Sequence, residues 1–118
     1  MGAVLIYDFG FTIYEFMSYS VTVIDDDDAW YGCSNMSWHL MWREVEAAVS
    51  DEHKAAVRDF HDFSYEYGEY PHEKCKAVLA ALETVREGVG RFSGPLDMAE
   101  LLRVFGRAVA LGCGVEVG

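Results

Sequence analysis

Apolar positions along this chain change their period near residue 34, from the alternation of strands to the three-and-four spacing of helices. Before that point the stretches 3–9, 11–17 and 19–24 are short and rich in Val, Ile, Phe, Tyr and Thr. These residue types suit a pleated, half-buried surface. Gly10 punctuates the first pair. Ser20-Val21-Thr22-Val23-Ile24 alternates and places Val21 and Val23 on one face. The run Asp25 to Asp28 ends that strand, because Asp is poor in strands and favoured in turns. Trp30 to Cys33 follows as a further short strand.

From Ser34 onward, Trp38, Met41, Trp42, Val45, Ala48 and Val49 fall on one side of a helix. Ser34, Asn35 and Ser37 are its candidate N-caps. A second helix starts at Ser50, with Asp51 and Glu52 in the first turn where they complement the helix dipole. Its stripe is Ala56, Val57, Phe60, Phe63 and Tyr67. Residues 68–71 break the pattern, and Pro71 suits the first position of a third helix. Cys75, Val78, Leu79, Leu82 and Val85 form that helix's buried side. Gly88, Gly90, Ser93, Gly94 and Pro95 make a linker. Asp97 with Glu100 has capping-box spacing and opens a fourth helix, whose core side is Met98, Leu101, Leu102, Phe105 and Val109. Gly112 and Gly114 end it.

The expected fold is α+β. An N-terminal antiparallel sheet of two to four short strands, over about 3–33, precedes three or four packed helices over about 35–112. A short tail, 113–118, pairs as an edge strand or frays. The whole chain, 1–118, reads as one domain.

Charge changes this picture, because it is uneven. Residues 1–73 hold 15 acidic and 3 basic side chains, a net of −12, whereas residues 74–118 hold 5 acidic and 6 basic, a net of +1. Such acidity argues against nucleic acid as a direct ligand and against an anionic membrane surface. It permits basic proteins, basic peptides and cations, and it also keeps an aromatic-rich protein in solution. Cys33, Cys75 and Cys113 are odd in number and widely spaced, which reads as free thiols in a reducing compartment. The stretch Met1 to Asp8 has no basic segment, and Asp8 interrupts its apolar run. It reads as neither signal peptide nor membrane span, so a cytoplasmic location is expected (a host's cytoplasm if the protein is viral).

Candidate chemistry is thin. Asp25 to Asp28 offers oxygen ligands, but the EF-hand spacing is absent and adjacent carboxylates mostly point apart. A solvated turn or a protein-contact patch is expected there. His61, Asp62, Glu66, Glu69, His72, Glu73 and Cys75 are metal-capable types without a zinc-site spacing. Cys33 near His39 lacks a nucleophile elbow or an oxyanion site. Glycines 88, 90 and 94 follow a helix and carry no Gly-Lys-Ser/Thr, so they make no phosphate loop. No cofactor, metal or catalytic residue is expected. Trp38 and Trp42 share a helix face and read as core. Trp30 and Tyr31 beside the Asp run, and Tyr65, Tyr67 and Tyr70 alternating with Glu66 and Glu69, read as aromatic anchors in an acidic setting, a combination that protein interfaces favour.

In size, in the Asp25–Asp28 run and in the acidic aromatic loop at 65–70, the chain resembles the small acidic proteins that phages use against host defences, anti-CRISPR proteins among them. The resemblance implies a non-enzymatic inhibitor that presents carboxylates where phosphates would lie, on a basic, nucleic-acid-binding protein surface of a host complex. The residues expected to meet that partner are Asp25, Asp26, Asp27, Asp28, Trp30, Tyr31, Glu66, Glu69 and Tyr70. The alternative is a small-molecule binder that holds a nucleotide-like ligand among aromatics. A metal- or Cys-dependent enzyme is the remote alternative. Any homo-oligomer would use the near-neutral C-terminal helices.

Overall fold

The computed structural model describes residues 18–118, so the expected strands at 3–9 and 11–17 lie outside the described residues. The elements are β1 (Ser18–Val23), β2 (Asp26–Ser34), α1 (Asn35–Ala48), α2 (Asp51–Ser64), β3 (Gly68–Tyr70), α3 (His72–Glu83), α4 (Pro95–Leu111) and β4 (Val115–Val117). The fold is α+β, as its sequence pattern predicts. All strand pairs are antiparallel, in the order β2-β1-β4-β3.

Strand alternation sorts the sheet into two faces. Tyr19, Val21, Val23, Tyr70, Val115 and Val117 point into the core, and the helices bury their apolar stripes against them. Each helix contributes the side its periodicity names: Trp38, Met41, Trp42 and Val45 from α1, Val57 and Phe60 from α2, Cys75, Val78 and Leu82 from α3. On α4 the buried centre is Met98, Leu101, Val104, Phe105 and Ala108. It runs one strip over from the expected one, leaving Leu102 and Val109 at its margin.

Five boundaries differ from expectation. The β1–β2 turn consists of Ile24 and Asp25 alone, and Asp26 to Asp28 belong to β2. Thr22 pairs with Trp30 but Val23 pairs with Asp26, so Asp27, Asp28 and Ala29 form a bulge. The Asp28 amide donates to Asp26 Oδ1 at 3.3 Å, and Ala29 turns inward. Local carboxylate bonding of this kind lets Asp occupy a strand that its propensity disfavours. The break at 68–71 contains β3, which pairs with β4 over three residues. Helix α4 starts earlier than the D-x-x-E pattern suggests. Gly94 is its N-cap and Pro95 its first residue, while Asp97 Oδ2 accepts from the Gly94 amide at 3.3 Å. Pro71, expected at the first position of α3, is its N-cap.

The fifth difference is the largest. The tail is an inner strand: β4 pairs with both β1 and β3, and Ser20 and Gly118 extend the ladder reciprocally. Gly112, at φ 72°, ends α4 in the left-handed conformation that glycine accommodates. The chain then passes so close to β3 that a Cβ on Gly114 would sit 2.0 Å from the Tyr70 carbonyl oxygen.

That contact gives a paired test. Gly114→Ala should lower unfolding stability by at least about 3 kcal/mol, because backbone must move to admit one methyl. Gly106→Ala, inside α4 with open space around it, should be neutral or stabilising by up to about 1 kcal/mol. Urea unfolding of both variants checks the contrast.

Candidate functional site

The predicted contact residues do not form one patch: some lie at a hairpin end, some on the outer face of the sheet, and others in a turn or the core. Asp25, Asp27 and Asp28 are exposed, and no hydrogen bond or ion pair engages their carboxylates among the described residues. Asp26 is different: its Oδ2 receives Arg107 Nε of α4 at 2.9 Å. One helical turn away, Arg103 Nη2 donates to the Trp30 carbonyl at 3.0 Å and is held by Glu100 at 2.8 Å. The two arginines fasten the edge of β2 to the last helix, so the acidic run has a fixed position on the molecule.

Trp30 is 54 % exposed. A Cβ at Gly32 would lie 3.2 Å from the Trp30 ring, so Gly32 makes room for the indole on the outer face. The strand registers place Trp30, Thr22, Glu116 and Glu69 side by side in one row across the four described strands. Glu69 and Glu116 are therefore direct cross-strand neighbours of like charge, an arrangement that costs a few tenths to about 1 kcal/mol. Glu66 lies outside the row, exposed in the turn before β3.

Two expected anchors are placed elsewhere. Tyr70 is 2 % exposed, because alternation in β3 turns it inward where Glu69 turns out. Its hydroxyl donates to Asp59 Oδ2 at 2.6 Å. That bond, with Lys74 at 3.3 Å, holds the Asp59 carboxyl below the usual range. Its ring is a core component and offers nothing to a docking face. Tyr31 is half-buried, and its hydroxyl donates to Asp97 Oδ1 at 2.9 Å. Desolvation, and then that carboxylate, push its pKa well up. Tyr31 joins β2 to the start of α4 and is not an open anchor.

Sequence reasoning missed a second cluster. His39 of α1 and His61 of α2 meet with Nδ1 and Nε2 2.8 Å apart. Tyr65 stacks on His39 at 4.4 Å between centroids and 11° between planes. Tyr19 meets His39 edge-on at 4.9 Å, stacks on Trp38 at 5.3 Å and touches Tyr67. The signal was present in the connection between the helices. Only Val49 and Ser50 separate α1 from α2, which makes an antiparallel helical hairpin. His39 lies ten residues before Val49 and His61 eleven after Ser50, so they face each other. Glu46 of α1 and Arg58 of α2 also pair across this interface, at 2.6 Å.

The other metal-capable residues do not converge. His72 Nδ1 lies 3.2 Å from the Cys113 carbonyl, and Cys75 is buried. Among the described residues no group of three or more His, Cys, Asp or Glu is arranged to hold a metal ion. Burial pushes the thiols of Cys33 and Cys75 up to about 11, the opposite of what an activated nucleophile needs. No helix among the described residues is long and apolar enough to cross a membrane.

The histidine cluster is backed by a buried relay. Trp38 Nε1 donates to Ser64 Oγ at 3.0 Å, and Ser64 Oγ donates to the His61 carbonyl at 2.6 Å. Ser64→Ala would leave the Trp38 indole N–H without this acceptor in the core. A loss of about 1–3 kcal/mol follows, measurable by urea unfolding followed through tryptophan fluorescence. No protein-family model, curated protein or solved structure matches the chain.

Proposed function

We propose that this chain is a non-enzymatic acidic docking protein. Its partner is a basic protein surface that itself binds nucleic acid, and its action is inhibition by charge mimicry, as in phage anti-defence proteins. The observation that carries this reading is the state of Asp25, Asp27 and Asp28. Their carboxylates are exposed and unengaged among the described residues, on a hairpin that two arginines hold in place.

The neighbouring row supports it. An exposed indole and two adjacent carboxylates, Trp30, Glu69 and Glu116, lie on one sheet face. A partner's arginine or lysine set between Glu69 and Glu116 would turn their repulsion into two attractions. Trp30 supplies apolar area and a cation–π face. Fixed charges of one sign raise the encounter rate with an oppositely charged groove, and salt screens that gain.

The triple change Asp25→Asn, Asp27→Asn and Asp28→Asn keeps Asp26 and its Arg107 pair. For the protein captured from a host lysate at low salt, it should weaken binding roughly tenfold or more and flatten the dependence on salt. Trp30→Ala should weaken binding about tenfold at every salt concentration with the slope unchanged. Titration calorimetry across a salt series reads both effects. Equal affinity of the triple variant and the parent at low salt would sink the charge-mimicry reading.

A further inference from the structure

We propose that the His39–His61 pair is a proton-operated latch on the turn from Tyr65 to Tyr67. This goes beyond the docking reading, and it is a property of the free protein that needs no partner to test.

The geometry is that of a hydrogen bond between imidazoles. The nitrogens are 2.8 Å apart and the ring centroids 5.0 Å, so the contact lies nearly on the line joining the rings. One ring donates and the other accepts. The pair therefore tolerates at most one added proton, since a second leaves two donors and no acceptor. Once the latch opens into water, each ring takes a proton near the ordinary histidine pKa of about 6.5. The open form thus binds more protons than the closed form, and acid favours opening.

The surroundings point the same way. Tyr65 covers both rings and Tyr19 closes one edge, so His61 is buried and His39 half-buried. Desolvation lowers both pKa values, and Arg43, on the same helix as His39, lowers them further. His39 also lowers His61, while Asp62 and Glu46 oppose this by favouring charge on His61. Closed-state values lie below the open ones, so the latch is intact above about pH 6.5 and weakens as pH falls below it.

What the latch holds is a turn under strain. Tyr67 has φ 61°, the left-handed region for a residue with a side chain, and Gly68 follows at φ 115°. Tyr67 is kept there by packing on Tyr19, which packs in turn against His39. The movement is confined on both sides. Ser64 remains bonded to Trp38 and to the His61 carbonyl, and Gly68 and Tyr70 remain paired to β4. Opening therefore releases residues 65–67, including exposed Glu66, without unravelling α2 or the sheet.

The test is nuclear magnetic resonance of the whole chain between pH 7.5 and 5.0. His39 and His61 should titrate with midpoints below about 6.5. Protection of the Tyr65 and Glu66 amides, which bond to Asp62 and Phe63 carbonyls, should fall roughly tenfold, about one acid-linked proton over one pH unit. Amides in the middle of α4 should keep theirs. His39→Gln removes one titrating ring and should abolish most of that fall. Should this variant fail to fold, the parent's histidine midpoints and Tyr65 ring shifts decide alone. Midpoints at or above 6.5 with an unmoved Tyr65 ring, or an acid response undiminished in a folded His39→Gln, would overturn the latch.

Discussion

Everything in this molecule hangs on one run of packed rings. Tyr19 stacks on Trp38, Trp38 meets Trp42, Trp42 meets Phe60, and Phe60 meets Phe105, with centroid separations between 5.0 and 5.8 Å. The run starts on β1, passes through α1 and α2 and ends on α4. It joins the sheet to three helices with side chains of large buried area and specific edge or stacked geometry. Removing one such ring from a core costs typically 3–5 kcal/mol, a large share of the whole stability of a domain this size. The same run determines what reaches the surface. Because Trp38 and Phe60 point inward, the residues immediately after them, His39 and His61, are carried to the flank of the same helical interface.

Much of the architecture was legible in the sequence because it follows from period. Strand alternation named Val21 and Val23 as core, and helical spacing named Trp38, Trp42, Phe60, Val78, Leu101 and Phe105. The misses share another cause: they depend on contacts between distant segments. Val115 to Val117 carries only three residues of alternation, and nothing local says that it slots between β1 and β3. Tyr70 sits in a stretch of exposed Tyr and Glu and is distinguished from them only by its place in β3. Asp26 looks like its three neighbours until Arg107, 81 positions away, approaches it.

The candidate site was legible by composition but not by arrangement. An acidic run beside tryptophan marks a surface, and the exposed Asp25, Asp27, Asp28 and Trp30 agree with that. The facing of Glu69 and Glu116 requires the register of two strands separated by α3 and α4. The histidine pair requires the pivot between two helices. In each instance the chemically informative object is a pair, and its members are individually unremarkable residues of exposed turns and helix flanks.

The position of β4 also has a temporal side. One of the two inner strands of the described sheet is drawn from residues 115–117, about ninety positions after its partner β1. During synthesis the β1–β2 hairpin and the first three helices emerge from the ribosome with that slot still empty. Until the slot is filled, β1 and β3 each leave exposed the backbone groups that β4 later pairs. Pairings this far apart in sequence are slow to form. At that stage the like charges of Asp25 to Asp28 and of Glu69, on the same hairpin and on β3, set neighbouring chains against one another by repulsion.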